Sequence, residues 1–125
     1  MTKVLQVLHA NGLVHNDVRC SNVVRKQGEE TFVLVDYDDM REVDEDGNVP
    51  SISWMDPASH APDISSCHHK TVDLWGLCKM MSELVCDAGD VTGLVNFGKQ
   101  CLLHYPKSVL AESFVSTIED LCTCT

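Results

Sequence analysis

Apolar residues recur at helical spacing over positions 4–8, and the Asn11-Gly12 pair that follows is typical of a helix end. Two short runs rich in β-branched residues occupy positions 21–24 and 31–35. The polar, glycine-containing segment between them predicts a small β-hairpin. Positions 36–62 are first acidic and then rich in turn formers, which predicts a long irregular loop of a kind that often carries function.

The pattern becomes helical after this loop. Thr71 is predicted to cap a helix that residues 88–90 break. A second helix is predicted over 91–104, ended by Pro106, and a third over 108–121. Together the elements predict an α+β fold, mainly α, and the chain of 125 residues is one domain at most.

Charge narrows the partners that the chain can have. Lys and Arg number 9 against 19 Asp and Glu, which gives a net charge of −10. Nucleic acid and anionic membrane surfaces repel such a chain. No apolar run approaches the roughly 20 residues of a bilayer span, and the first residues are too polar for a signal peptide. We therefore expect an intracellular protein of the cytoplasm, with neither a nucleic-acid nor a membrane partner.

The seven cysteines are odd in number and scattered along the chain. Without a secretion signal, reduced thiols that pack as small apolar groups are the favoured interpretation. The Cys67-His68-His69 cluster and the Cys122-x-Cys124 pair suggest zinc. Neither has the two-pair spacing of a structural zinc site.

Two short strings carry the candidate chemistry: HNDVRCSN, beginning at His15, and DYD, beginning at Asp36. They place Asp17, Asn22 and Asp36 at turns that flank the predicted hairpin. Oxygen ligands of this kind hold hard divalent cations, and a carboxylate can accept a proton from an attacking hydroxyl. Arg19 could neutralise a phosphate group. The alternative is that the two carboxylates only cap turns.

Taken together, these strings resemble the catalytic loop and the metal-binding motif of protein kinases, His-Arg-Asp-Leu-Lys-x-x-Asn and Asp-Phe-Gly. Further motifs follow in the same order as in that family. They are Ser53–Ala58 or Ala61–Asp63 for the Ala-Pro-Glu element, Asp73–Leu84 (DLWGL…SEL) for the central helix, and Cys101–Pro106 for a late helix end. The resemblance implies the C-terminal lobe of a kinase-like fold, with a small β-hairpin at the catalytic loop.

The resemblance also implies roles for particular residues. Asp17 would be the catalytic base, and Arg19 would replace the lysine that contacts the transferred phosphate. Asn22 and Asp36 would hold Mg²⁺ and, with Arg19, bind ATP. The reaction would be ATP-dependent phosphoryl transfer to a protein hydroxyl.

Several structural expectations follow from the resemblance. Asp17, Asn22 and Asp36 should converge on one cleft. His15 should pack beneath Tyr37. In addition, three features are expected of the central helix and the loop it contacts: a buried Asp73, backbone hydrogen bonds to it from residues 15–16, and a buried Trp75.

Three departures from the kinase pattern stand out. Asn16 replaces the arginine that pairs with a phosphorylated loop, which argues against switching of that type. Asp38 replaces the glycine of the metal motif. If Ala58 fills the Glu position of Ala-Pro-Glu, the usual ion pair is absent, and no arginine follows Arg41 to form it.

The parts that would form the kinase small lobe are not found upstream of His15: a Gly-rich loop, a Val-Ala-x-Lys strand and a helix with the pairing Glu. Since phosphoryl transfer depends on positioning, we expect residues 1–125, as a partial kinase domain, to have negligible activity alone. A truncated gene product fits this pattern. The uncovered upper surface would be apolar and would suit the missing lobe or another protein partner.

Two other functions remain open. Aminoglycoside and choline kinases have a second motif that Val35–Asp39 fits slightly better than Asp-Phe-Gly, whereas Asp73–Leu77 follows protein kinases. A pseudokinase acting as a protein-interaction module would use the acidic stretch 36–46 and the uncovered surface.

Overall fold

The computed structural model describes residues 1–85 and 90–123, which form five α-helices, a 3₁₀ turn and four short strands. The α+β, mainly helical class expected from the pattern is confirmed. In chain order the elements are α1 (Thr2–Ala10), β1 (Leu13–Val14), the 3₁₀ turn (Cys20–Asn22), β2 (Val23–Arg25), β3 (Phe32–Leu34), β4 (Arg41–Glu42), α2 (Thr71–Ser82), α3 (Thr92–Leu103), α4 (Lys107–Leu110) and α5 (Phe114–Thr123).

The predicted hairpin is formed by β2 and β3, which pair antiparallel in the register Val23↔Leu34. Gly28 lies in its turn with φ +78°, a conformation that glycine adopts without steric cost. A second antiparallel pair, β1 with β4, was not predicted, and it joins Leu13 to Glu42. The two pairs flank the chain that connects β1 to β2, which contains the HNDVRCSN string.

The prediction of one helix over 108–121 was wrong, because this segment forms two helices. Ala111 is extended (φ −61°, ψ 136°) and separates α4 from α5. Val109 and Phe114 are both buried, yet five residues apart on a continuous helix they would point in different directions. The break allows both side chains to reach the core.

The other helix ends agree more closely with the pattern. Helix α1 ends at Ala10, followed by Gly12 at φ +69°, and α3 matches the predicted second helix. Thr71 is the first helical residue of α2 rather than its cap, which is Lys70. The break predicted at 88–90 lies, at residues 88 and 89, outside the described residues.

Helix α2 lies between two apolar clusters. Leu77, Cys78 and Met81 face the larger cluster. Val72 joins a smaller one, formed mainly by the long loop, which in the structure connects β4 to α2 and spans residues 43–70. That loop is therefore packed and not merely irregular. Its buried members are Val49, Ile52, Ala61 and Ile64. Trp75 is half-buried against this smaller cluster, so the expectation that it is buried is met only in part.

The thiols that the structure places in the core behave as the reduced-thiol interpretation expects. Cys78 and Cys101 are buried, and burial raises the pKa of both thiols. A raised pKa keeps a thiol neutral and unreactive.

No helix within residues 1–85 and 90–123 is long and apolar enough to cross a membrane.

Close packing between α2 and the chain after β1 depends on Gly76. A Cβ placed on Gly76 would lie 2.9 Å from the Cβ of Val18 and would also meet the backbone of Val18. Val18 directly follows the candidate base Asp17. Any side chain at position 76 would therefore displace the HNDVRCSN string from the helix beneath it.

We expect Gly76→Ala to lower the free energy of unfolding by roughly 1–3 kcal/mol, as overpacking against backbone does. Gly93→Ala in α3 is the matched control, because its Cβ would meet only the flexible end of Leu121, at 3.0 Å. Urea unfolding of both variants measures the difference. Equal stability of the two variants would contradict this account of Gly76.

Candidate active site

The backbone of the HNDVRCSN string is held by a single buried carboxylate. Asp73 on α2 is 0% exposed, and it accepts the backbone N–H of His15 at 2.9 Å and that of Asn16 at 2.8 Å. His9 Nε2 donates to the same carboxylate at 2.8 Å. The expectation that Asp73 is buried and binds the backbone at 15–16 is confirmed.

The backbone that Asp73 binds includes a residue with a positive φ angle. Asn16 and Asp36 are the non-glycine residues with positive φ in the described chain, at 69° and 62°. Such conformations cost energy and persist only where surrounding contacts enforce them, which is typical of functional sites. Each of the two candidate strings contains one of them.

Asp17 lies at the centre of the site, is 5% exposed, and has donors on both carboxylate oxygens. Its Oδ1 accepts from His60 Nε2 at 2.7 Å and from Arg19 Nε at 3.0 Å. Its Oδ2 accepts from Asn22 Nδ2 at 2.9 Å, and the same nitrogen donates to the carbonyl of Asp17 at 2.7 Å. The structure therefore brings Asp17, Arg19 and Asn22 together.

His15 links the catalytic-loop candidate to the end of β3. Its Nδ1 accepts the backbone N–H of Asp17 at 3.1 Å, so its Nε2 carries the proton and donates to the carbonyl of Val35 at 3.1 Å. The ring packs edge-to-face on Tyr37, with centroids 5.0 Å apart. The predicted contact between His15 and Tyr37 is confirmed.

Asp36 is placed beside this group by the backbone. The N–H of Val35 donates to the carbonyl of Asn22 at 2.8 Å, and Asp36 is the next residue. Its side chain is exposed, and among the described residues no hydrogen bond joins it to Asp17 or Asn22. The structure thus brings Asp17 and Asn22 into direct contact, whereas the convergence of the Asp36 side chain with them stays a prediction.

Asn22 and Asp36 are the residues that could hold a cation at this site. The Nδ2 of Asn22 faces Asp17, which leaves its Oδ1, together with the exposed Asp36 carboxylate, as oxygen ligands. Mg²⁺ is commonly bound in this way, by one or two protein ligands plus substrate phosphates and water.

No group of three or more His, Cys, Asp or Glu that could hold a metal lies within the described residues. His68, in the cluster that suggested zinc, instead bonds Ser66 and Asn16. The other zinc suggestion, Cys122-x-Cys124, reaches outside the described residues at Cys124.

Asn16 has a different environment from a surface phosphate-binding residue. It is 3% exposed, and its Nδ2 donates to the carbonyls of Val14 at 3.3 Å and Asp39 at 2.9 Å. Its Oδ1 bonds His68 Nε2 at 2.9 Å. The side chain is used to fasten the loop that contains His68 to the chain after β1.

The long loop also supplies an anchor at Asp63. Its Oδ1 accepts the hydroxyl of Tyr105 at 2.8 Å, and that hydroxyl also bonds Thr71 at 3.2 Å. Ala61 is buried, whereas Ala58 is exposed. The structure therefore anchors the Ala61–Asp63 string to Tyr105.

Sequence reasoning gave no role at this site to three histidines, one of which, His68, it considered only as part of a possible zinc cluster. His9, His60 and His68 bond Asp73, Asp17 and Asn16, across 64, 43 and 52 residues respectively. His9 lies on α1, whereas His60 and His68 lie in a turn-rich loop, where a histidine has no periodic signal. The nearest clue is that His60 directly precedes the Ala61–Asp63 string.

No protein-family model matches the chain. Crinkler effector protein 8 from Phytophthora infestans is 33% identical to it over 78 residues. These residues are 60% of this chain and 13% of that protein, so the chain corresponds to a small part of this similar protein.

Replacing Asp73 by asparagine should loosen the site from within. The introduced NH₂ group would face at least one of the N–H donors that the carboxylate now accepts, and buried polar mismatches are costly. We expect Asp73→Asn to lower the free energy of unfolding by about 3 kcal/mol. Asp120→Asn, exposed on α5, is the control and should have little effect. Chemical denaturation of both variants decides, and a stable Asp73→Asn protein would contradict the assigned role.

Tyr105 gives the fold a dependence on high pH. Burial raises the pKa of this phenol, and the Asp63 carboxylate adds to the shift. A raised folded-state pKa means that the contribution to stability is complete below the unfolded value of about 10 and is lost as the pH rises above it.

We therefore expect the unfolding free energy to fall above pH ~10, and Tyr105→Phe to remove that part of the slope. The exposed Tyr37, changed to Phe, is the control and should leave the slope in place. Unfolding curves collected across this range measure the slopes, and identical slopes in wild type and Tyr105→Phe would refute the assignment.

Proposed function

We propose that the chain is the catalytic-loop part of a protein-kinase-like phosphotransferase. The observation that carries the proposal is the Asp73 carboxylate, which binds the backbone of residues 15 and 16 at 2.9 and 2.8 Å from a helix that also bears Trp75 and Gly76. The resemblance to kinases predicts this contact, although Asp73 is 58 residues from His15 and 57 residues from Asn16 in the sequence. Turn capping by Asp17 and Asp36 alone gives no reason for it.

Asp17 fits the part of a catalytic base in this proposal. It is a carboxylate held in one orientation, and it can accept the proton of an attacking hydroxyl. Arg19 is bonded to it through Nε, and its side chain is 43% exposed, so the rest of the guanidinium can contact a phosphate.

Asn22 and Asp36 would hold Mg²⁺, which would neutralise charge on the phosphates of ATP. The two backbone features that keep these residues near each other are the bond between Val35 and Asn22 and the left-handed conformation of Asp36.

We further propose that phosphotransfer by this chain alone is negligible. The hairpin beside the site exposes apolar side chains that a covering lobe or partner would bury: Val24 at 46%, Phe32 at 60% and Val33 at 41% exposure. Without such a cover a nucleotide would be held from one side only, and phosphoryl transfer depends on positioning. From the relative's name we extend only the proposal that this chain belongs to an effector-like protein.

Nucleotide binding tests the proposal. A ligand that binds only the native state adds about 2.7 kcal/mol of stability at one hundred times its Kd. We expect Mg²⁺ with ATP to raise the melting temperature of the chain, and Asp36→Asn to lose most of this increase. Asparagine tolerates the left-handed backbone at this position, so the variant removes charge without adding strain.

Asp38→Asn is the matched control, since it removes an equally exposed charge two residues away. An equal increase in wild type and Asp36→Asn would contradict the assignment of Asp36. Robust ATP turnover by the chain alone, lost in Asp17→Ala, would contradict the proposal of negligible activity.

A protein-interaction module is the second candidate function. The exposed apolar side chains of the hairpin favour it, because patches of this kind mark surfaces that other proteins cover. In this case the site would be a relic of kinase ancestry. Failure of Mg²⁺ and ATP to shift the melting temperature of the wild type would favour this candidate over phosphotransfer.

A further inference from the structure

We infer that His60 is a positioning residue for Asp17 and that it does this work as a doubly protonated imidazolium. The inference starts from the two partners of its ring. Nδ1 lies 2.7 Å from the backbone carbonyl oxygen of Asp56, and Nε2 lies 2.7 Å from Oδ1 of Asp17. A carbonyl oxygen can only accept, so Nδ1 must carry a proton.

The Asp17 end of the pair is that of an ionised carboxylate. Its Oδ2 faces Nδ2 of Asn22, whose orientation is set because it also donates to the carbonyl of Asp17. Its Oδ1 receives the Nε–H of Arg19 at 3.0 Å. A carboxylate paired with the Arg19 guanidinium is ionised and has no proton to donate, so Nε2 of His60 is the donor in its bond. Both ring nitrogens carry protons, and the ring carries a positive charge.

Charge around the ring agrees with this assignment. Both side chains of the pair are 6% exposed, and a buried charge must be paired. The charged groups that face His60 in the described structure are Asp17, Arg19 and Asp56, two of which are negative. The Asp56 carboxylate is itself held in a turn by Ala58 and Ser59, and these hydrogen bonds lower its pKa.

The consequence for Asp17 is geometric. A carboxylate offers about four lone-pair positions, and His60, Arg19 and Asn22 occupy three of them. About one position remains for the proton of an attacking hydroxyl. A neutral His60 has a single N–H and would have to release either Asp17 or Asp56. The charged ring thus fixes both the direction of the remaining lone pair and the distance between the catalytic loop and the turn at 56–60.

The charge on His60 rests on hydrogen-bond geometry alone, whereas its value for a catalytic base rests on the proposed function. Nitrogen NMR of the ¹⁵N-labelled full chain tests the charge directly, because protonated and bare ring nitrogens resonate far apart. We expect both ring nitrogens of His60 to carry a proton in the folded chain at pH 7, because each of them faces a hydrogen-bond acceptor. A bare nitrogen on His60 at pH 7 in the folded chain would overturn the inference.

Two variants identify the partner. Asp17→Asn removes the charge that the ring contacts, so a bare nitrogen should appear on His60 at pH 7. Asp56→Asn removes a nearby charge but keeps the carbonyl that the ring contacts, so the doubly protonated signal should persist. Persistence of the doubly protonated signal in Asp17→Asn would overturn the inference. If Asp17→Asn does not fold, the wild-type spectrum at pH 7 still decides.

The measurements contain no nucleotide, so this inference and the proposed function can fail independently. If His60 is an imidazolium but Mg²⁺ and ATP do not shift the melting temperature, the His60–Asp17 pair stands and the proposed phosphotransfer function fails. Nucleotide binding together with a bare ring nitrogen would retain the proposed function and reject His60 as its positioning residue.

Discussion

A carboxylate with no exposure to water is stable in a protein only if donors surround it, and Asp73 has three of them. Two are backbone N–H groups of consecutive residues, so the carboxylate sets the path of the chain there and not merely the position of a side chain. The left-handed Asn16 is one of these two residues. The hydrogen bond from its N–H to Asp73 helps to offset the cost of this conformation.

Helix α2 supports the site at two neighbouring positions on one face. Asp73 binds the loop by hydrogen bonds, and Gly76, three residues later, lets the loop at Val18 approach the helix backbone. Asp73 binds the loop by hydrogen bonds, and Gly76 has no side chain to keep the loop away, so the loop lies close to the helix. Asp17 lies between these two supported points, which explains why a residue in a loop is only 5% exposed.

Local patterns in the sequence predicted much of this structure, and the limits have physical reasons. The hairpin, the first helix and the helix that carries Asp73 follow from apolar spacing and turn residues, and the contact of Asp73 with residues 15–16 followed from the resemblance to kinases. The break at Ala111 was missed because the apolar stripe of 108–121 is continuous in sequence, whereas the core needs both Val109 and Phe114. His60 and His68 were missed because their partners are 43 and 52 residues away.

Two histidines, His60 and His68, connect the long loop to the HNDVRCSN string. His60 bonds Asp17 and His68 bonds Asn16, so consecutive residues of the HNDVRCSN string are each tied to the same loop. The amide of Asn16 is buried, uncharged and bonded at both ends, so it offers no countercharge to a phosphate group. The loop is therefore fastened to the string by the ring nitrogens of His60 and His68, through hydrogen bonds to Asp17 and Asn16.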